Sequence, residues 1–397
     1  MPDLPLFLLL LLILAAILRN DLIFYVFYLF AGLFILGTWW ARRGLPALRL
    51  ARRYDDRLFL GERREVELEL TNTSRLPLVW VQLLERLPLQ VHTPPDVRAV
   101  VSLPGRGRAR LRYELIATRR GYYELGPLRL RTGDLLGMSR PMTLEFAPAP
   151  VIVYPKIVPL PALGLPSRTP FGRLPHAQRL FEDPTRVIGT RDYQPGDSWR
   201  QINWKSSAAV GTWQTKQLEP AISLETMIVL NLNEPEYDTA NWWVASELGV
   251  TAAASLAHAV VEAGQAAGLL AHGRDPLTPD GRPPPLLVPH PGRAHLMLIL
   301  EQLARIEVGP LGVPFPERLR VVAHEAPWGA TIVVITPEPS AEVLGAAYAL
   351  RRAGFAVTLV LTALRSSPRE ARARAAAFGL ATVVLYDEDS LARWPES

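Results

Sequence analysis

The 397-residue chain contains no cysteine, which excludes disulfide bonds, thiolate nucleophiles and cysteine-ligated zinc sites. Lysine is almost absent too, because Lys156, Lys205 and Lys216 are the only three and arginine supplies the remaining basic residues. None of the three lysines follows a glycine, so the chain lacks the Gly-Lys pair of a phosphate-binding P-loop. If nucleotide energy is used, a partner must supply it.

Two long apolar runs, residues 4–18 and 22–41, are separated only by Arg19, Asn20 and Asp21. The second run is long enough to cross a hydrocarbon core of about 30 Å, at about 1.5 Å per helical residue. A signal peptide is the alternative for the first run, but a basic segment before it is missing and a second apolar run follows at once. The pattern predicts a transmembrane helical hairpin over residues 1–45.

The charges after the second run predict its orientation. Positive residues flank the cytoplasmic ends of membrane helices, and no acidic residue lies between the end of the second run and Asp55. Trp39 and Trp40 stand where interfacial aromatic anchors belong. We therefore expect an inner (cytoplasmic) membrane protein whose soluble domains face the cytoplasm, on the evidence of Arg42, Arg43, Arg49, Arg52 and Arg53.

Residues 50–153 alternate between apolar and polar positions, with proline and glycine between the runs. In residues 65–74 the alternation places Val66, Leu68 and Leu70 on one face and glutamates on the other. Short strands of this kind predict an antiparallel β-sandwich. The stretch 119–140, with glycines at its expected turns, predicts a β-hairpin within that domain.

Residues 154–220 predict a linker followed by a dense polar segment, and residues 221–397 predict a different architecture. Apolar strands alternate there with amphipathic helices, a pattern typical of a parallel, doubly wound α/β sheet. We expect strands at 225–232, 268–273, 331–336, 355–362 and 381–387, and helices at 241–267, 293–306, 341–354 and 368–378.

The polar segment, RDYQPGDSWRQINWKSSA at residues 191–208, resembles the signature of the bacterial domain-of-unknown-function family 58. The family pattern runs Gly, two residues, Tyr, one residue, Pro-Gly-Asp, two residues, Arg, one residue, Ile, one residue, Trp. The family resemblance identifies the following as signature or interaction residues: Arg191, Tyr193, Pro195, Gly196, Asp197, Arg200, Asn203, Trp204 and Lys205. Ile202 also matches, and Gly189 is assigned to the Gly position although three residues separate it from Tyr193; the usual Ala-Arg after the small polar run is incomplete because the Arg is missing.

Two upstream segments, RGYYELGPLRLRTGDLLG and TNTSRLP, are also similar to this family. The resemblance implies a membrane-tethered protein with a von Willebrand factor A-like domain, often encoded beside a MoxR-type AAA+ ATPase. It therefore implies that ATPase, together with client proteins, as partners.

Von Willebrand A domains often hold a divalent cation through Asp-x-Ser-x-Ser after their first strand. This chain carries Asn231, Asn233 and Pro235 at those positions, and these supply neutral oxygens or no ligand at all. We therefore expect no metal and no cofactor. A cation such as Mg²⁺ gathered by loop acids remains the alternative, with Glu234, Glu236 and Asp238 as the acids.

Other chemistries have weaker support. Glu182, Asp183, Asp192 and Asp197 offer carboxylates for acid–base work, but an Asp after Pro-Gly more often closes a turn. His272, His290 and His295 match no compact metal-binding spacing, and no Gly-x-Ser-x-Gly elbow is present.

Trp199, Trp204 and Trp213 interleave with cations, an arrangement that can bind single-stranded nucleic acid. The simpler interpretation is a structural joint in which Trp199, Ile202 and Trp204 pack inward and the cations pair with Asp192 and Asp197. We expect no nucleic-acid partner.

The sequence thus predicts a non-enzymatic, membrane-anchored scaffold or adaptor. Its A-like domain would engage the AAA+ ATPase and a client. The main alternative is a metal-dependent enzyme or binder that uses the loop after Asn231. A third possibility is a purely structural envelope component with no nucleotide-dependent partner.

Overall fold

The computed structural model describes residues 4–134, 141–161, 182–194, 199, 202–220, 225–237, 242–327, 329–362 and 367–394. The chain divides into two compact units: Met1–Lys156 with Leu300–Ile306, and Ile157–Ile299 with Glu307–Ser397. The predicted site residues Pro195, Gly196, Asp197 and Arg200 lie outside the described residues, as does Asp238.

Two apolar helices open the first unit, α1 (Leu4–Leu18) and α2 (Asp21–Gly44). Asn20 begins α2 by accepting a hydrogen bond from the backbone N–H of Leu22 at 2.9 Å, the usual role of an N-cap asparagine. By length and composition α2 can cross a membrane, whereas α1 is shorter. The two helices pack together, with an edge-to-face contact between Phe7 and Phe30.

Within the described residues, ten strands form the β-rich part of the first unit. They make three sheets, ordered β1-β3-β6, β2-β10-β7 and β5-β4-β8-β9. Leu68, Leu83 and Val151, one from each sheet, are fully buried in one hydrophobic core. The strands are β1 (Leu48–Arg53), β2 (Arg57–Phe59), β3 (Arg63–Asn72), β4 (Leu78–Arg86), β5 (Asp96–Leu103), β6 (Arg108–Ile116), β7 (Gly121–Leu125), β8 (Leu128–Thr132), β9 (Met142–Phe146) and β10 (Ala149–Tyr154).

The alternation predicted for β3 is confirmed. Val66, Leu68 and Leu70 are buried, and the intervening glutamates face arginines of the antiparallel neighbour β6. The cross-strand ion pairs are Arg108–Glu69 at 3.3 Å, Arg110–Glu67 at 3.4 Å and Arg112–Glu65 at 3.5 Å. Opposite charges on one sheet face stabilise that pairing modestly.

The hairpin predicted over residues 119–140 is wrong. β7 pairs with β10, and β8 pairs with β4 and β9, so the two strands belong to different sheets. The chain passes between the sheets at Gly126, whose φ of 116° suits glycine and whose N–H donates to the Arg86 carbonyl at 2.8 Å. Leu125 and Leu128 on either side are both buried, so burial in the core overrides local pairing.

The second unit begins with a two-stranded ribbon of β11 (Glu182–Asp192) and β12 (Gln214–Pro220), with α3 (Trp204–Val210) between them. A six-stranded mixed sheet follows in the order β15-β14-β13-β16-β17-β18. All its strands run parallel except β15, which is antiparallel to β14. They are β13 (Glu225–Asn231), β14 (Ala266–His272), β15 (Leu287–His290), β16 (Thr331–Thr336), β17 (Ala356–Leu361) and β18 (Ala381–Val384).

Helices cover both faces of this sheet. Met227 and Val229 of β13 share a core with residues of α6, α7 and α8, whereas Leu230 lies against α4 at Gly249. α4 is apolar enough to resemble a membrane span, but most of it is buried in this unit. The helices are α4 (Trp242–Glu262), α5 (Arg293–Arg305), α6 (Phe315–Glu325), α7 (Ala341–Arg352), α8 (Pro368–Ala377) and α9 (Glu388–Ala392).

Every predicted strand and helix between residues 225 and 387 is present within a few residues of its predicted bounds. The prediction missed α3, α6 and α9 among the helices and β11, β12 and β15 among the strands. In α6 the residues Phe315, Leu319 and Val322 are buried at helical spacing, a pattern that the flanking prolines obscured. β15 is only four residues long, is half-exposed and contains Pro289, which argues against a strand in a sequence pattern.

Candidate functional site

The signature segment is built on the ribbon of β11 and β12. Asp192 pairs with Gln214 at the open end of the ribbon, and the chain continues into Tyr193, whose N–H donates to the Trp213 carbonyl at 2.8 Å. On its return the N–H of Asn203 donates to the Gln214 carbonyl at 2.8 Å. These bonds hold the two ends of the signature loop at neighbouring positions of β12.

Asn203 then begins α3. Its Oδ1 accepts a hydrogen bond from the backbone N–H of Ser206 at 3.3 Å, so this signature residue is an N-cap. The Ser207 hydroxyl donates to the Asn203 carbonyl at 2.8 Å and accepts from the Gln214 N–H at 2.8 Å. The helix ends at Gly211, whose φ of 80° is the left-handed conformation of a helix C-terminus. The small polar run therefore fastens a short helix to β12.

Four aromatic side chains of this region contact one another, and we call them the aromatic cluster: Tyr193, Trp199, Trp204 and Trp213. The ring of Trp213 lies 4.6 Å from Trp199, 5.9 Å from Tyr193 and 6.4 Å from Trp204, measured between centroids. Trp199 is 57%, Trp204 66% and Trp213 48% exposed. The cluster thus presents three indoles to solvent.

The structural-joint interpretation is therefore only half right. Ile202 is buried, as predicted, and forms an isolated bridge with Thr215 of β12. The inward packing predicted for Trp199 and Trp204 is wrong, because their rings lie on Trp213 at the surface. α3 has no buried residue, so an indole at its first position has no core to enter.

Three charged residues of the signature segment lie in the ribbon and in α3: Arg191, Asp192 and Lys205. Asp192 accepts a hydrogen bond from the side-chain amide of Gln214, and Arg191 donates to the Asp192 carbonyl at 3.1 Å. Lys205 is exposed and forms no ion pair within the described part of the chain. A cation beside exposed indoles is a combination that protein interfaces use often.

A second cluster of polar side chains lies at the carboxyl edge of the six-stranded sheet. β14 and β16 flank β13 on opposite sides, so the connections leaving this edge diverge at β13, the place where α/β sheets commonly bind ligands. Asn231, the last residue of β13, is fully buried here. Its Nδ2 donates to Glu236 Oε2 at 2.7 Å and to Thr336 Oγ1 at 3.1 Å.

The loop after β13 completes this network. Asn231 Oδ1 accepts from the Asn233 N–H at 3.1 Å, and Tyr237 donates its hydroxyl proton to the Asn231 carbonyl at 2.7 Å. Asn233 Oδ1 accepts from the Leu311 N–H at 3.3 Å. Pro235 lies within a single 3₁₀ turn over Glu234–Glu236 and contributes no side-chain ligand.

The electrostatics of Glu236 follow from its burial. Burial raises the pKa of its carboxyl, the amides of Asn231 and Asn233 oppose the rise, and Glu342 adds to it. Asn231 turns its amide nitrogen, a donor, toward this carboxylate. Within the described residues no three carboxylate or imidazole side chains gather as a metal site.

The three histidines considered as metal ligands, and rejected on their spacing, do not all meet. The rings of His290 and His295 lie 5.5 Å apart, whereas His272 ends β14 and packs against Phe315. His272 is fully buried. Burial and the nearby Arg318 lower the pKa of its imidazole to about 4.

Comparison with known sequences matches residues 189–338 to a family described as "Protein of unknown function DUF58". The match supports, over these residues, the resemblance that the signature predicted. The matched range begins at the signature and ends after β16. It contains the aromatic cluster and the Asn231 network but neither α1 nor α2. It also leaves the two similar upstream segments of the first unit outside the match.

A curated relative is similar over a longer stretch. The "Uncharacterized protein YeaD" of Bacillus subtilis (strain 168) is 26% identical over 258 residues, which are 64% of this chain. The chain covers 61% of that relative's length.

Two solved structures are similar to about a quarter of the chain. The CARDB domain of the PF1109 protein from Pyrococcus furiosus, in complex with di-metal ions, is 15% identical with a TM-score of 0.20 and covers 27% of this chain and 91% of its own. A cohesin module from a Clostridium perfringens family 33 glycoside hydrolase is 14% identical with a TM-score of 0.21, covering 27% and 96%. Scores this low carry no argument about function.

Proposed function

We propose that this protein is a non-enzymatic, membrane-anchored scaffold or adaptor. α1 and α2 form its anchor in the inner membrane, and the arginines after α2 keep both soluble units in the cytoplasm. In this proposal the first unit is a β-sandwich and the six-stranded sheet belongs to a von Willebrand A-like domain. That domain engages a MoxR-type AAA+ ATPase and client proteins.

The aromatic cluster is the observation that carries this proposal. Exposed tryptophans cost solvation free energy unless a partner covers them, and tryptophan and arginine dominate the binding energy of protein interfaces. Three exposed indoles joined through Trp213, with the exposed Lys205 next to Trp204 in the chain, have the composition of an interface core with a charged rim. The cluster lies within the residues that match the family, so a common partner fits this surface.

The ATPase itself comes from the family resemblance. The absence of a Gly-Lys P-loop supports a division of labour in which the partner hydrolyses nucleotide and this chain recruits the client. The metal-dependent alternative has less support, because the side-chain amide of Asn231 already satisfies the Glu236 carboxylate at the site such a cation would need.

Co-purification of the full chain from detergent extracts tests the proposal. The tagged wild type should recover an AAA+ ATPase when hydrolysis is blocked with a slowly hydrolysed ATP analogue. The amount of ATPase recovered with the double variant Trp204→Ala/Trp213→Ala should be at least about tenfold lower. Hot-spot tryptophans each contribute about 2 kcal/mol or more to binding.

Trp242→Ala is the matched control, because Trp242 is an exposed tryptophan at the start of α4, outside the cluster. It should recover the ATPase as the wild type does. Failure of the wild type to recover any AAA+ ATPase, with or without trapped nucleotide, would refute the partner assignment. Equal recovery by wild type and double variant would place the interface elsewhere.

A further inference from the structure

The end of α2 is fastened to the β-rich first unit. Trp40 donates its indole N–H to the Pro77 carbonyl at 2.6 Å. Two glycines allow the close approach: a Cβ at Gly44 would lie 2.5 Å from Leu78 Cδ2, and one at Gly37 would lie 2.7 Å from Asp134 Cβ. The turn that precedes β4 is thereby held at the level of Trp40, where the apolar run of α2 ends.

A second turn is joined to the first. The N–H of Arg106 donates to the Ser74 carbonyl at 2.8 Å. Asn72, fully buried at the end of β3, donates its side-chain amide to the carbonyls of Leu76 at 2.8 Å and Pro104 at 3.2 Å. Thr73 also donates to the Ala47 carbonyl through its N–H and its hydroxyl. Three segments distant in sequence, residues 42–50, 71–78 and 103–107, thus meet at one end of the unit.

These three segments carry positive charge alone. Together they contain five arginines and no aspartate or glutamate. All five are exposed, and none forms an ion pair within the described part of the chain. We call this group the basic rim: Arg42, Arg43, Arg49, Arg75 and Arg106.

Elsewhere in the same unit most arginines of the strands are neutralised by carboxylates. Arg110 and Arg112 face glutamates of β3, and Arg52 pairs with the buried Glu85. The charge of the basic rim is therefore a local excess, at the end of the unit to which the apolar helix is attached.

We propose that the basic rim binds the headgroups of anionic phospholipids. This lipid-binding proposal rests on the proposed membrane anchoring, because α2 sets the depth of the basic rim relative to the membrane. Arginine forms paired hydrogen bonds with phosphate, and basic residues beside a membrane surface attract anionic lipids. Arg42 and Arg43 would reach the surface from any such helix, whereas Arg75 and Arg106 reach it only because both turns pack at the end of α2.

Energy transfer between a labelled full-length protein and labelled lipids tests this proposal. The chain has no cysteine, so Ser102→Cys, exposed beside the second turn, accepts a single donor dye. The protein is reconstituted in nanodiscs of mixed phosphatidylcholine and phosphatidylglycerol. Trace lipid of one or the other headgroup carries an acceptor on its acyl chain, which leaves the headgroup intact.

We expect transfer to labelled phosphatidylglycerol to exceed transfer to labelled phosphatidylcholine severalfold at low salt, since one arginine near the surface is equivalent to about fivefold in lipid affinity. The excess should shrink at high salt because the interaction is screened. Arg75→Gln/Arg106→Gln should reduce it by at least about fivefold, and Arg75→Lys/Arg106→Lys should retain most of it.

Arg63→Gln/Arg86→Gln is the matched control. Arg63 begins β3 and Arg86 ends β4, so both lie at the strand ends opposite the rim while the charge removed is the same. This control should keep the lipid preference.

Equal transfer to both lipids in the wild type would overturn the proposal while leaving the anchor intact. Failure of the protein to enter nanodiscs of any composition would instead refute the anchor. A rim that binds single-stranded RNA, with loss in Arg75→Gln/Arg106→Gln and with no lipid preference, would also overturn the proposal in favour of a nucleic-acid surface.

Discussion

Asn231 Nδ2 donates a hydrogen bond to Glu236 Oε2 at 2.7 Å, across the point where the connections of the six-stranded sheet diverge. The relationship pairs a neutral donor with a half-buried carboxylate, so the group needs no cation to be satisfied. Thr336 Oγ1 accepts from the same amide and fixes its orientation. The edge of the sheet is thereby closed by side chains of the chain itself.

Asn231→Asp should convert this closed network into a cation site. Two carboxylates would then face each other in a buried place, with the Thr336 hydroxyl beside them, and the repulsion should lower the free energy of unfolding by about 3 kcal/mol. Mg²⁺ or Ca²⁺ should restore much of the loss, since hard cations prefer oxygen ligands and negative charge. Thermal unfolding with and without each cation measures the effect.

Asn203→Asp serves as the control for that change, because an aspartate is also a good N-cap for α3 and should leave the unfolding temperature nearly unchanged. A wild-type protein that is itself stabilised by millimolar Mg²⁺ would contradict the closed network. It would support the metal-dependent alternative.

His272 should make the protein less stable in mild acid. Its folded-state pKa is about 4, below the ordinary value of 6.5, so the unfolded chain takes up a proton between these values while the folded chain does not. Stability from this residue is complete above pH 6.5 and is lost as the pH falls toward 4, with a total of about 3 kcal/mol.

Urea unfolding of wild type and His272→Gln from pH 4 to pH 7.5 isolates that contribution. The difference in unfolding free energy between the two should change with pH in this window. His324→Gln, at an exposed position of α6, is the control for the His-to-Gln replacement itself. Parallel pH curves for wild type and His272→Gln would contradict the prediction.

The Arg52–Glu85 pair should be costly to break from one side. Both side chains are buried in the first unit, and burial raises the pKa of the Glu85 carboxyl against the opposing effect of Arg52. Arg52→Met should cost about 3–5 kcal/mol of unfolding free energy, because it leaves a buried carboxylate without its partner. Arg52→Met/Glu85→Gln should recover a large part of that loss.

Arg129→Met provides the comparison, since Arg129 and Glu145 form an ion pair at 2.8 Å that is partly exposed. Such pairs contribute less than about 1 kcal/mol. Chemical denaturation in detergent measures all four proteins. A double variant as unstable as Arg52→Met alone would show that packing, rather than charge, stabilises this place.

Replacing a tryptophan by alanine should cost little unfolding free energy at a surface position and much more at a core position. Trp204→Ala should change the free energy of unfolding by less than about 1 kcal/mol, because two thirds of that side chain is exposed. Trp394→Ala, at a buried position after α9, should cost about 3–5 kcal/mol. A large loss of stability in Trp204→Ala would mean that the aromatic cluster supports the fold rather than a partner surface.

Regular elements were predicted best where their periodicity is strong. β3 alternates cleanly because one face meets the core and the other meets arginines of β6, and α7 shows its apolar stripe for a similar reason. The prediction failed at β7 and β8, where a glycine and a proline in series resemble a hairpin turn. There the burial of Leu125 and Leu128 directs the strands into different sheets.

The signature residues show the same division. Ile202 was predicted to be buried, and the structure confirms it. An aliphatic side chain flanked by polar residues gains free energy mainly by burial. Trp204 was predicted to pack inward, but it is exposed. A tryptophan can lie in a core or on a surface, and the residues packed around it determine which. Asn203 was assigned to the signature for its position, whereas its role as an N-cap depends on where α3 begins.

The sequence by itself determined the apolar helix α2, the alternation of β3 and the succession of strands and helices after residue 225. Each of these features depends on the spacing of apolar residues over a few neighbouring positions, which can be seen directly in the sequence. Only the tertiary structure decided that Arg75 and Arg106 join the end of α2, that Asn231 faces Glu236 and Thr336, and that three tryptophans remain in solvent. Those outcomes depend on long-range packing, in which segments far apart in sequence compete for the same core and the same hydrogen bonds.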